Sequence, residues 1–496
     1  MSHVVIPAVG VALRELLPGA QFFGGQNIHV QACCSDSRRC QPGDLFAALV
    51  GADQDGHDFA SDAIDRGAAA LLAERLLPVR VPQCIVQDTR QSYGRVCHAV
   101  AGDPSRHLQV VGVAGTHGKT VTSLLVAAVL EAAGTRTGVR NSLGQRDAAD
   151  GSNVTHAAAD LAHWLARTRL DGCTSAVVEA SSQALAQWRL AGTQLDTAIL
   201  TNLRRAEVED HGSLWNYRSI QARLFDHLRP GGFIVLNADD AASGKLAAGL
   251  DHPVITIGLK SQAELTATLL ERHCGEQTFL LEAGSAAVPV RTRIIGDAHI
   301  YNCLCAAAVG LVYGIELPTI VRGLEAVDRV PGRMERIECG QEAAVFVDAA
   351  HHPDTLATAL RTLRSVTDRR LICVFGASDL AGKELRPQLG RTAERLADLA
   401  VITSDHPGQD QPLRIAHDIL DGFDRPAKAH LLPNRARAIG WALGQARRGD
   451  VVLVAGRPAA ASQSRDGQTW VFDDREVVRY WLNQQANDRC RPSAAA

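Results

Sequence analysis

Val111–Ser123 reads VGVAGTHGKTVTS, and the reading of this stretch decides the fold. It continues a run, QVVGVAG from Gln109, that is apolar and β-branched throughout, as expected of a strand buried on both faces of a parallel sheet. A glycine turn follows, and then TVTSLLVAAVLEAAG reads as a helix ended by Gly134. Strand, glycine turn and helix is the setting in which backbone N–H groups and the helix macrodipole gather a phosphate. The strict phosphate-loop pattern needs a glycine where Val113 stands, so the loop is a shorter form, GTHGKT. Gly115, Thr116, His117, Gly118, Lys119 and Thr120 are expected to turn successive N–H groups toward the phosphates, with Lys119 touching the terminal ones and Thr120 placed to ligate Mg²⁺. The competing reading, a glycine-rich turn with a structural lysine, is disfavoured by that setting.

Outward from the loop the rhythm repeats. TSAVVEASS, LDTAILTNL and GFIVLNADD read as further strands, separated by helical stretches such as LWNYRSIQARLFDHL. Beyond a Pro/Gly-marked junction at Arg329–Gly340, the strands AVFVDAA, LICVFGAS, LAVITSD and VVLVAGR alternate with four helical segments, which fits a second doubly wound unit. Before the loop, short strands and turns surround a polar cluster, Ser35–Phe59, SDSRRCQPGDLFAALVGADQDGHDF. The expected fold is α/β in three domains, 1–107, 108–336 and 337–482, with 483–496 as a flexible tail.

Composition narrows the function. With 51 basic against 54 acidic residues, the net charge of −3 and the lack of a single-sign block argue against a nucleic-acid partner. The N-terminus has no basic leader, and no window approaches the roughly 18 apolar residues of a membrane span, so a cytoplasmic protein without a membrane partner is expected. The 12 cysteines show no CxxC spacing and read as reduced thiols.

GTHGKT, EASSQAL, LTNL, HG, NADD, VDAAHHPDTL and VLVAG, in this order, resemble the Mur ligases, the ATP-dependent amino-acid ligases of peptidoglycan precursor synthesis. The likeness spans nearly the whole chain and is strongest to the branch that adds the third residue to UDP-N-acetylmuramoyl-L-alanyl-D-glutamate. It implies an N-terminal UDP-sugar domain, a central P-loop-type ATPase domain, and a C-terminal Rossmann-like domain that closes on the nucleotide. The implied partners are the UDP-muramoyl dipeptide and an amino acid, the cofactors ATP and Mg²⁺, and the expected state a monomer. By the same resemblance Ser37, Arg38, His57, Thr155, Ser182, Gln187 and Arg189 match substrate contacts, and Glu179 a magnesium carboxylate. Asn237, Asp240, Asn302, Arg333, Asp348 and His351 match positions around ATP, and His211 belongs to the HG motif of the catalytic centre.

The chain departs from that pattern at several places. Gln221 stands where the family carries a lysine that becomes carbamylated, and Glu207 where it carries a magnesium-binding histidine; the two changes together conserve the charge offered to a cation. Val154 replaces a second threonine beside Thr155, and Ser181, Ser182 and Gln183 stand for SSH. The residues that read diaminopimelate in the family correspond to Gly408 and Ala460, neither of which offers a side-chain contact, although Arg457 retains a guanidinium for a carboxylate. Three readings stay open: a ligase for the UDP-muramoyl dipeptide, a catalytically weakened nucleotide- or UDP-sugar-binding regulator, and a ligase for another carboxylate and amine.

Overall fold

The run QVVGVA forms strand Gln109–Ala114, as its pattern predicts, and the glycine turn leads into helix Lys119–Ala132. The computed structural model describes residues 10–51, 53–146, 158–204, 211–247, 249–378, 382–405, 410–456, 461–465 and 468–490. The chain divides into two compact units, Met1–Glu264 with Cys305–Ile320, and Leu265–Leu304 with Val321–Ala496.

In the first unit the loop-bearing strand lies in the middle of a sheet, in the order 144–146, 137–141, 175–179, 109–114, 195–200, 228–237, 254–258. Apart from the first hairpin the neighbours run parallel, with Val111 opposite Val177 on one side and Thr197 on the other. Both faces are covered, and Val110, Ala114, Ala176, Val178, Ala198, Leu200 and Ile234 pack with Trp164, Leu165, Leu190 and Tyr217 in one core. Each such large apolar side chain contributes about 1.5–3 kcal/mol by leaving water. The connection that leaves the loop-bearing strand runs to 137–141 on one side of the sheet and the one that leaves its neighbour 195–200 runs to 228–237 on the other, so the carboxyl ends of these two strands form a switch point of the kind at which α/β proteins bind ligands.

A smaller five-stranded sheet precedes it, in the order 21–23, 83–85, 70–73, 45–47, 33–34, parallel except at the 21–23 edge. Helix Thr89–Val100 covers one face with Tyr93, Val96 and Cys97 against Leu45, Leu72 and Cys84. No disulfide joins the described cysteines.

The second unit contains the expected second parallel sheet, ordered 335–337, 344–348, 451–455, 371–375, 399–402, 429–431, with only the 335–337 edge antiparallel. Helices Pro353–Arg364, Leu385–Leu396, Pro412–Leu420 and Arg435–Gln445 account for the four helical segments. Two features were not expected. Strands 265–272, 277–283 and 286–292 form an antiparallel meander, and helix Asp474–Cys490 runs through 483–490, where a frayed tail was expected.

Candidate active site

The loop after strand Gln109–Ala114 is built on two glycines in backbone conformations that other residues avoid. Gly115 has φ +121°, and a Cβ there would run into Thr201 Oγ1 and the Asn202 backbone; Gly118, at φ +85°, begins helix Lys119–Ala132. Strand Leu195–Leu200 supplies the other wall: Thr201 Oγ1 donates to His117 O (2.7 Å), and Asn202 brackets His117 by accepting from its N–H (3.2 Å) and donating to its carbonyl (3.0 Å). Thr116 N–H donates to Asn202 O (2.9 Å) and Gly115 N–H to Gln221 Oε1 (3.1 Å). The N–H groups of Gly115, Thr116 and His117 are therefore engaged within the protein. This departs from the expectation of a continuous donor row from Gly115 to Thr120, since three of those N–H groups are bonded within the protein.

Lys119 Nζ donates to Gly115 O (2.7 Å) and Thr116 O (2.9 Å), so the ammonium lies over its own loop. One residue on, Thr120 Oγ1 donates to Glu179 Oε2 (2.9 Å) and meets Ser142 Oγ (2.8 Å), while Ser142 N–H donates to the same carboxylate oxygen (3.0 Å). Glu179 ends strand Ser175–Glu179, the neighbour of the loop-bearing strand, which is why residues 59 apart in sequence meet. A carboxylate and two hydroxyls at one point form an all-oxygen donor set suited to a hard cation such as Mg²⁺. Ser142 was not anticipated; only the hairpin after strand Thr137–Asn141 brings it in.

Helix Leu214–Ala222 presents Tyr217 and Gln221 to the same loop, both buried. Gln221 Nε2 donates to Tyr217 Oη (3.1 Å), and Tyr217 Oη meets Thr116 Oγ1 (2.7 Å). His211 stacks on Tyr217 with ring centroids 5.7 Å apart, and its buried Nε2 has no hydrogen-bond partner among the described residues.

The expected substrate residues divide into open and closed positions. Asp36 caps the short turn Ser37–Arg39 and accepts two hydrogen bonds from the exposed Arg38 guanidinium, which lowers the Asp36 carboxyl to about 2. His57 is different: it is buried, its Nδ1 bonded to Asp55 (2.6 Å) and its Nε2 accepting from Glu74 N–H (3.0 Å). Both ring nitrogens are consumed, so His57 braces the fold and offers no ring nitrogen to a ligand. On the central sheet, Ser182 opens the short helix Ser182–Ala186, capped by Ser181. Gln187 Oε1 accepts from Arg189 (2.7 Å), and between them Trp188 takes φ +53° with the Arg223 guanidinium 4.4 Å over its ring.

Asp240, expected near ATP, spends its carboxylate on the protein, accepting from Leu203 N–H, Ala242 N–H and Ser243 Oγ. Asn237 likewise accepts from Asp239 N–H (2.9 Å). These two hold the turn after strand Leu228–Asn237, a structural duty that spacing alone did not reveal. In the second unit Asp348 ends strand Ala344–Asp348, accepts from Met334 N–H (2.7 Å) and Ala350 N–H (2.9 Å), and has its pKa raised by burial, with Arg333 opposing the shift. His351 is exposed beside it, bonding Ala349 O (2.8 Å), so Arg333, Asp348 and His351 do converge. Asn302 is buried in helix Asp297–Val312. Thr155, Glu207, Gly408, Arg457 and Ala460 lie outside the described residues.

Residues 113–310 match the Mur ligase middle domain, 332–457 the Mur ligase glutamate ligase domain, and 29–100 the Mur ligase family catalytic domain. The UDP-N-acetylmuramoyl-L-alanyl-D-glutamate--2,6-diaminopimelate ligase of Geobacillus kaustophilus is 36% identical over 481 residues, covering 95% of this chain and 98% of its own length. A solved structure of a ligase of that name has a TM-score of 0.70 at 28% identity, over 96% of this chain and 100% of the other. The MurF ligase from Thermotoga maritima in complex with ADP shares the fold, with a TM-score of 0.63 at 19% identity over 92% and 98% of the two chains. With three domain matches and such relatives over nearly its full length, the chain belongs to the Mur ligase family.

Proposed function

We propose that the protein is an ATP-dependent ligase that adds an amino acid to the D-glutamyl carboxylate of UDP-N-acetylmuramoyl-L-alanyl-D-glutamate. The observation that carries this is the GTHGKT loop at the sheet's switch point, with Lys119 over it and Thr120 paired to Glu179. The whole-length likeness to relatives named as ligases of this substrate supports the choice of carboxylate. Residues 1–107 then receive the UDP-sugar, with Arg38 exposed to it, and 108–336 receive the triphosphate.

Bringing a carboxylate to a triphosphate sets like charges against each other, and this chain's residues are arranged to offset that. The first-turn N–H groups of helix Lys119–Ala132 and the Lys119 ammonium take up charge on the phosphates. Thr120 and Glu179, joined by Ser142, are the residues that would hold Mg²⁺, which when bound neutralises phosphate charge and orients the terminal group. The substrate carboxylate oxygen bonds to the γ-phosphorus as the bond to ADP breaks; the neutral amine then forms the C–N bond, and phosphate leaves with that carboxylate oxygen. Ser182, Gln187 and Arg189 orient the peptide end of the UDP-sugar.

Phosphate release from ATP by the purified protein, with the UDP-muramoyl dipeptide and a panel of amino acids including diaminopimelate, tests the proposal and identifies the amine. Release that requires both substrates is the expected result. ATP binding with no release for any amino acid would replace the ligase with a nucleotide-binding protein, and release with another carboxylate would move it to a different substrate.

A further inference from the structure

Gln221 is fully buried one helical turn after Tyr217, and every polar atom of its amide is used on the loop side of the helix. The direction of both Gln221 hydrogen bonds follows from the donors available. Gly115 N–H can only donate, so Gln221 turns its oxygen to the loop and its NH₂ to Tyr217. Tyr217 Oη thereby accepts from Gln221, and it meets Thr116 Oγ1 at 2.7 Å. Thr116 Oγ1 also accepts from Arg204 N–H (2.8 Å) and lies 3.4 Å from the carbonyls of Asn202 and Arg204. Hydrogen bonds thus form a relay from Gly115 through Gln221, Tyr217 and Thr116 to the backbone after strand Leu195–Leu200. An amide fills this place without charge, accepting from Gly115 N–H and donating to Tyr217; an ammonium could not accept from Gly115 N–H, and a carboxylate would bury a charge beside the loop.

We infer that Gln221, acting through Tyr217, is a positioning residue for triphosphate binding: its amide sets the Gly115–Thr116 end of the loop so that the helix's first turn and Lys119 meet the phosphates. This rests on the ATP-dependent reading above. Gly115 sits at φ +121°, and hydrogen bonds hold the peptide that leads into it on both sides: Thr201 N–H donates to Ala114 O (3.0 Å), and Gly115 N–H donates to Gln221. A buried N–H left without an acceptor is costly enough to turn that peptide away. Lys119 Nζ bonds Gly115 O and Thr116 O, so the same two residues carry the ammonium.

ATP affinity and steady-state kinetics of the full chain and three variants test the inference. Gln221→Ala is expected to weaken ATP binding about tenfold or more, with KM for the UDP-substrate unchanged. Tyr217→Phe cuts the relay at its middle and is expected to weaken ATP in the same selective way. Gln221→Glu separates positioning from packing, because it keeps the shape and an acceptor for Gly115 N–H but places a buried charge beside the loop when ionised. Its ATP affinity is expected to improve as pH falls and the buried carboxyl takes up a proton, which removes that charge; the unaltered protein and Gln221→Ala have no such group at 221 and lack that pH response. ATP affinities within twofold of the unaltered protein, or an equal loss for both substrates, would overturn the inference. If Gln221→Ala does not fold, the pH response of Gln221→Glu and the selectivity of Tyr217→Phe decide. Absence of ATP binding by the unaltered protein would overturn the functional reading itself and this inference with it.

Discussion

Lys119 reaches back over its loop while the next residue, Thr120, bonds Glu179, and substitutions of Lys119 and Glu179 should fail differently. Lys119→Ala removes the ammonium held over Gly115 and Thr116, and is expected to cut turnover by about 10³-fold while circular dichroism and thermal unfolding stay unchanged. Unchanged rates would refute the loop assignment. Glu179→Gln keeps an oxygen for Thr120 and Ser142 but removes the charge, so the Mg²⁺ concentration giving half-maximal rate is expected to rise about tenfold or more. A metal requirement that does not move would place the cation elsewhere. Residue roles were the least legible part of the sequence. Lys119 and Thr120 could be read because their chemistry follows from a local strand–turn–helix pattern. His57 and Asp240 could not, because their polar atoms are consumed by partners as distant as Glu74 and Leu203, and no local spacing reports that.

At the scale of elements, the loop and the helix it begins are governed by glycines that do different work. Gly134 closes helix Lys119–Ala132 at φ +84° with open space around it, so Gly134→Ala is expected to cost about 1 kcal/mol and leave ATP binding intact. Gly115→Ala adds a collision with Thr201 and Asn202 to a similar backbone penalty, and is expected to abolish ATP binding, with a larger drop in the denaturant midpoint. Equal effects of the two changes would show that the loop tolerates displacement. The parallel strands were legible because both faces are buried and the runs are apolar from end to end, as in Ser175–Glu179 and Leu371–Phe375. The meander 265–292 was not, because much of Leu265–Arg272 is exposed and its residues read as surface. The last helix was missed for a related reason: NQQANDRC carries too few apolar residues to announce a period.

For the molecule as a whole, stability should fall on mild acidification. Burial lowers His98 to about 3, His227 to about 4 and His299 to about 3, against about 6.5 in an unfolded chain. The unfolded state therefore binds more protons below pH 6.5, so this contribution is complete above that value and is lost as pH falls toward 4. Between pH 7.5 and 5.5 each histidine is expected to remove about 1 kcal/mol, seen as a lower urea midpoint; a midpoint that stays constant would contradict it. Function at this scale turns on the fate of one oxygen atom. Ligation through an acyl phosphate carries an oxygen of the substrate carboxylate into the released phosphate, whereas futile ATP hydrolysis takes that oxygen from water. The most direct test supplies UDP-N-acetylmuramoyl-L-alanyl-D-glutamate labelled with ¹⁸O in the D-glutamyl carboxylate, with ATP, Mg²⁺ and the amino acid that supports turnover. Mass analysis of the phosphate is predicted to find one ¹⁸O transferred for each tripeptide formed, and phosphate free of label would contradict the account.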